Sequence, residues 1–255
     1  MEMQQDMRLA VLIDAENVPY SNVTGMLEEI TRYGTPTVKR IYGDWTTQNM
    51  SGWKNVLVPN AIVPVQQYCY TSGKNSSDSA MIIDAMDILY AGKIDGFCLV
   101  SSDSDFTRLA TRLRESGKKV YGFGEKKTPD AFIAACDKFI YLEIIASAEQ
   151  DTDTAGTQGD NAPKRREISK VDRQVIQLIA NSVSDLANED GWAFLGEVGS
   201  LILKKKPDFD SRNYGFSKLS LLVESTKRFE LDIRERGHKG HNVYIRNREK
   251  GKSNN

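Results

Sequence analysis

The chain has 255 residues, 40% of them hydrophobic and 27% charged, an ordinary globular composition for one large domain or two smaller ones. No apolar run approaches the length of a bilayer span, and acidic residues stand near the N-terminus where a signal peptide needs basic ones, so a cytoplasmic protein away from membranes is expected. The net charge of −1 hides an asymmetry: residues 1–150 carry 15 Lys/Arg against 19 Asp/Glu, residues 163–255 carry 19 against 13, and positive surface attracts phosphate backbones.

Arg8 to Asp14 (RLAVLID) is an unbroken apolar run ending in an acid, the pattern of a central parallel strand that delivers Asp14 to the sheet edge. Asn17 follows in D-A-E-N, either to cap the next helix or to orient a metal-bound water or phosphate. Pro19 suits the first turn of that helix, which carries Met26, Leu27 and Ile30. Thr37–Tyr42 predicts a second strand, Gln48–Val58 a helix, and Ala61–Cys69 a third extended run, which Pro64 places at an edge or a bulge. A polar loop, Thr71–Ser77, contains Lys74, a candidate phosphate contact. It opens a helix over Asp78–Ala91, striped by Met81, Ile82, Ala85, Met86 and Leu89. Asp78 lies in its first turn, where the helix dipole favours an acid; Asp84 and Asp87 read as solvated or structural.

Gly96–Val100 (GFCLV) predicts a buried strand that ends at Ser101-Ser102-Asp103-Ser104-Asp105-Phe106, and Thr107–Ser116 an amphipathic helix. Lys118–Phe123 and Phe139–Leu142 add strands, with a short helix over Ala131–Cys136 between them. Such alternation implies right-handed crossovers and a three-layer α/β/α sandwich around a parallel sheet. Cys69, Cys98 and Cys136 are scattered among apolar residues and read as core positions in a reducing compartment.

Asp14, Asp78, Asp103 and Asp105 come from three segments that a parallel sheet turns toward one edge, beyond the carboxyl ends of its strands, where open α/β sheets bind ligands. Each acid has a simple structural reading by itself: a helix cap or a solvated loop residue. Together they repel one another unless Mg²⁺ or Mn²⁺ neutralises them, and such a site suits phosphodiester hydrolysis. Residues 1–150 contain no histidine, which excludes a histidine base there. A haloacid-dehalogenase-type phosphatase needs an Asp two residues after its nucleophile, where this chain has Glu16. A Toprim site expects a glutamate at the end of an earlier strand; Glu16 lies one strand-end away but past Asp14, which makes that the less economical reading, and no glycine-rich phosphate loop is present.

The motifs L-I-D-A-E-N at 12–17, S-D-S-A-M-I-I-D at 77–84 and V-S-S-D-S-D-F at 100–106 resemble the NYN domain family, relatives of PIN-domain and flap-type nucleases. The resemblance covers residues 7–145. It implies a PIN-like fold and metal-dependent ribonuclease activity, with Asp14 as the first acid, Asn17 beside it, Asp78 as the mid-chain acid, and Asp103 and Asp105 as the strand-end pair. Many relatives have Gly at the position of Ser102. Some members of the family are inactive, so a non-catalytic RNA-binding scaffold with a relict acidic pocket is the alternative reading.

Ser147–Lys164 is polar and aperiodic, and a flexible linker is expected over 146–166. Beyond it, Val171, Val175, Leu178, Ile179 and Val183 form one helical stripe. Ala193–Lys204 predicts a second helix, Phe216–Ser225 a third, and Phe229–Ile233 with Asn242–Ile245 a terminal hairpin: a small winged helix-turn-helix. Residues 167–248 resemble the OST-HTH, or LOTUS, domain through W-A-F-L-G-E-V-G at 192–199, Y-G-F-S-K-L-S-L-L at 214–222 and F-E-L at 229–231, which implies RNA binding. Lys204, Lys205, Lys206, Arg212 and Lys218, with Arg234, Arg236, Lys239, Arg246 and Arg248 on the wing, are the candidate phosphate contacts; a solvated basic face or a protein-binding role is the alternative. No aromatic ladder is visible, so base stacking is not expected, and Tyr214 and Phe216 are read as packing inward. PIN-like domains often self-associate, which makes a homodimer a further expectation.

Overall fold

Strand formation in the N-terminal part follows apolar runs too short for helices. β1 (Arg8–Asp14), β2 (Thr35–Gly43), β3 (Val63–Gln66), β4 (Gly96–Val100), β5 (Lys119–Gly124) and β6 (Lys138–Tyr141) form one sheet, wholly parallel, in the order β3-β2-β1-β4-β5-β6. The computed structural model describes residues 6–68, 76–145, 171–236 and 240–248, and the chain divides into two units between residues 160 and 161.

Both faces of the sheet are covered. Leu9, Val11 and Ile13 of β1 and Cys98 and Val100 of β4 pack with α1 (Val23–Thr31) and α2 (Ser51–Leu57). The alternate residues Ala10, Leu12, Phe97 and Leu99 pack with α3 (Ser76–Tyr90), α4 (Thr107–Glu115) and α5 (Asp130–Ala135). Period-two alternation on strands buried on both sides explains why these runs lack polar residues until they end.

The chain lays down β1, β2 and β3 in one direction, then crosses β1 to place β4 on its other side. The order reverses between β1 and β4, and a crevice opens at the carboxyl ends of strands at such a reversal. Pro64 sits on β3, which pairs only with β2, as a strand without a ladder donor requires. Cys98 and Cys136 are buried, and burial pushes both thiols up, Cys136 to about 12; Cys69 lies outside the described residues.

The second unit holds α6 (Arg173–Leu186), α7 (Leu195–Lys205), α8 (Leu219–Ser225) and the strands β7 (Ala193–Phe194), β8 (Phe229–Arg236) and β9 (Gly240–Asn247), in a sheet ordered β7-β9-β8. Asp172 caps α6, accepting from the Val175 amide at 2.8 Å. Two expectations need correction here. Ala193 and Phe194 do not begin the second helix but pair with Ile245 and Tyr244 as an antiparallel strand. The third helix begins at Leu219, not Phe216, because a 3-10 turn over Ser211–Tyr214 ends in Gly215 at φ +83°. Tyr214 and Phe216 pack against the core of this unit, as expected. Among the described residues no helix is long and apolar enough to cross a membrane.

Candidate metal centre

Asp14 ends β1 and is 1% exposed. Its carboxylate accepts from Asn17 Nδ2 at 2.7 Å, Ser101 Oγ at 2.8 Å and the Glu16 amide at 3.2 Å. Burial raises the Asp14 pKa; those three hydrogen bonds oppose the shift, and the charge of Asp103 adds to it. Asn17 therefore steadies Asp14 and caps no helix. Pro19 precedes the 3-10 turn Tyr20–Asn22, and Asn22 stands at the start of α1.

The other half of the site comes from the end of β4. Ser101 is fully buried and links both halves: its hydroxyl donates to Asp14 and accepts from the Asp103 amide at 3.1 Å. Asp103 then caps the 3-10 turn Ser104–Phe106, accepting from the Asp105 amide at 2.9 Å. One of the strand-end acids thus serves as a turn cap, the simple structural reading of an acid at this place. Phe106, fully buried beside Phe132, anchors the turn in the core. Ser102 accepts from the Glu125 amide at 2.9 Å and so ties this loop to the end of β5.

Asp78, in the first turn of α3, completes the set. Asp78, Asp103 and Asp105 each offer one carboxylate oxygen, and the three oxygens lie within 4.8 Å of one another. Asp78 is buried, Asp103 partly exposed and Asp105 exposed, so the group opens outward. Burial, and then the charges of Asp14, Asp103, Asp105 and Glu16, push the Asp78 carboxyl up to about 6. Among the described residues neither Asp78 nor Asp103 forms a salt bridge. Three hard oxygen donors within reach of one point are the donor set a small divalent cation takes, and the triplet fits one.

Two acids at this edge were missed as site residues in the sequence. Asp44, just beyond β2, is buried and accepts from Thr46 Oγ1 at 2.6 Å and Gln66 Nε2 at 2.9 Å. Glu16 has its pKa raised by burial and by the charges of Asp14 and Asp44. With Ala15, Tyr20, Met50 and Trp53 they line a depression of about 390 Å³ on the α1/α2 side. The available signal was positional: Asp44 directly follows the last residue of β2, and Asp14 is the last residue of β1.

Comparison with known proteins agrees with this geometry. The NYN domain profile matches residues 8–143. The chain belongs to the NYN domain family. An OST-HTH/LOTUS domain profile matches residues 166–241, and domains of that type bind RNA. An NYN domain followed by an OST-HTH/LOTUS domain makes this a nuclease-like, RNA-related protein. No curated protein matches the chain. Among solved structures, a Vibrio parahaemolyticus protein of unknown function is similar to 55% of this chain over 94% of its own, at 21% identity and a TM-score of 0.45. An uncharacterized Nitrosomonas europaea protein covers 40% of this chain and 98% of its own at 28% identity and a TM-score of 0.31. A Chromobacterium violaceum protein covers 34% and 94% at 29% identity and a TM-score of 0.27.

In the OST-HTH/LOTUS unit, the basic residues singled out in the sequence divide into two groups. Lys205 pairs with Asp185 at 2.6 Å, Lys206 lies 4.0 Å from Asp208, and Arg212 forks onto Asp210 at 2.7 and 3.0 Å. Lys204 and Lys218 are exposed and form no ion pair among the described residues. Lys74 and Lys239 lie outside the described residues, as does the side chain of Arg236.

Proposed function

We propose that this NYN protein is a divalent-metal-dependent endoribonuclease whose OST-HTH/LOTUS domain grips the RNA that the NYN domain cuts. The convergence of Asp78, Asp103 and Asp105 at the strand-order reversal carries this reading. These three carboxylates would hold Mg²⁺ or Mn²⁺, with Asp14 adding its charge from the end of β1, where Asn17 and Ser101 fix it. The bound ion would supply Lewis acidity and an activated water for phosphodiester hydrolysis. The protein's own part is to keep four carboxylates in one place despite their repulsion. It does so with a buried serine, an asparagine and a capped turn, each tied to a different strand end or loop.

The reading is tested by cleavage of labelled single-stranded RNA in Mn²⁺, Mg²⁺ or EDTA, beside the Asp103→Asn and Asp14→Asn proteins. Metal-dependent cutting by the native protein, lost in folded variants that still bind RNA, is the expected result. RNA bound but never cut, with no stabilisation by either metal, would instead favour a non-catalytic scaffold.

A further inference from the structure

The outer face of the β7-β9-β8 sheet is built unlike an ordinary solvated sheet face. Phe229, Leu231, Val243 and Ile245 point into the core of the unit. Alternation therefore turns their neighbours outward. Phe194 lies across from Tyr244, with ring centroids 5.9 Å apart, and Trp192 precedes the same strand. Two guanidinium groups lie over these rings. The Arg234 guanidinium is 4.3 Å from the Tyr244 centroid and 5.5 Å from that of Trp192, and Arg246 is 4.7 Å from Trp192. All three aromatic rings are partly exposed.

Each guanidinium is held edge-on by an acid of β8: Arg234 Nε donates to Asp232 at 2.8 Å and Arg246 Nε to Glu230 at 3.1 Å. Those acids take the Nε edge of each guanidinium and fix its plane relative to the rings. A guanidinium lying over an aromatic ring offers its outer plane to a further flat group, and aromatic rings and guanidinium planes are the surfaces on which unpaired bases stack. The hairpin is also basic: residues 227–248 hold seven Lys/Arg against three Asp/Glu, which complements a phosphate chain running past the layer.

We propose that this face binds single-stranded RNA by stacking its unpaired bases on the layer formed by Trp192, Arg234 and Tyr244. The proposal rests on the RNA-binding reading of this domain and adds where and how the strand is held. It separates two kinds of contact. Lys204 and Lys218 supply salt-dependent attraction; the sheet face supplies a stacking contribution that salt leaves largely unchanged.

The test uses the full-length protein in EDTA, with labelled oligoadenylate as the single strand and its duplex with oligouridylate as the control. Trp192→Leu and Tyr244→Ala should each weaken single-strand binding by about tenfold, with an unchanged dependence on salt and little effect on the duplex. Arg234→Lys keeps the charge and removes the plane, so it should weaken binding too, while Tyr244→Phe should not; these two keep the test decisive where the truncations fail to fold. Native affinity in Trp192→Leu, Tyr244→Ala and Arg234→Lys would overturn the stacking face and leave the RNA-binding reading intact. Failure of the native protein to bind either RNA would overturn both.

Discussion

Ser101 Oγ donates to Asp14 Oδ2 at 2.8 Å, and this bond joins the ends of two neighbouring strands whose sequences are 87 residues apart. The same hydroxyl accepts from the Asp103 amide, so one buried side chain sets the spacing between the first acid of the site and the last two. Ser101→Ala removes a donor from a buried carboxylate and leaves a backbone amide without its acceptor. A loss of about 1–3 kcal/mol is expected from urea unfolding. Metal affinity should fall as well, read by Mn²⁺ titration.

Asp78 makes stability depend on pH in a definite direction. Its folded pKa, about 6, stands above the ordinary carboxylate value, so its protonated form is the one folding favours. That contribution is fully present below about pH 4 and is lost as the pH rises through about 6. In EDTA, Asp78→Asn should therefore be more stable than the native protein at pH 7.5, with the gap closing as the pH falls below 5. A native protein equal to the variant at pH 7.5 would show that the crowding of charge is relieved in some other way.

The same carboxyl makes protons and metal compete. Stabilisation by Mn²⁺ should be large at pH 7.5 and small at pH 5, because the oxygen donors must be ionised. Thermal melts at the two pH values, with and without EDTA, read this directly. Asp105→Asn should flatten the metal response at both.

Gly124 ends β5 where a Cβ would come 2.6 Å from the Ser101 carbonyl and 2.7 Å from Thr128 Oγ1. Backbone cannot yield there without moving Ser101. Gly124→Ala should cost about 1–3 kcal/mol and should also weaken Mn²⁺ binding, although residue 124 contributes no ligand.

In the second domain, Lys204→Ala and Lys218→Ala should each lower the slope of log affinity against log salt by about 1. Lys205→Ala and Arg212→Ala should leave the slope nearly unchanged, since their charges already face Asp185 and Asp210. Arg212, with its bonds to Asp210, has the greater structural role; Lys205 is an exposed pair worth at most about 1 kcal/mol.

The sheet was legible because RLAVLID and GFCLV admit only one kind of element, and each ends in the polar residues that build the site. Asp14, Asp103 and Asp105 were legible for the same reason, since they end or closely follow such runs, and Asp78 because it opens the helical stripe of Met81, Ala85 and Leu89. Asp44 sits in an equivalent place but follows TPTVKRIYG, whose mixed polarity does not announce a central strand. The aromatic rings of the three-stranded sheet were hidden differently. Trp192 and Phe194 are two apart, the period of a strand, yet they run directly into the helical pattern of Leu195, Val198 and Ile202, and a strand of two residues leaves no period to read. Which lysines remain available also lay beyond the sequence, since Asp185 is nineteen positions before Lys204 and, among the described residues, pairs with Lys205 instead.

The reversal of strand order between β1 and β4 has a consequence for the making of the protein. Asp14 is synthesised early, but Ser101, Asp103 and Asp105 leave the ribosome only after β2, β3 and α3, and β4 must then insert beside β1 before any of them meet. A nascent chain that has folded its first three strands possesses no centre at all. The acidic group is therefore brought together only when β4 joins the sheet, late in the order of synthesis.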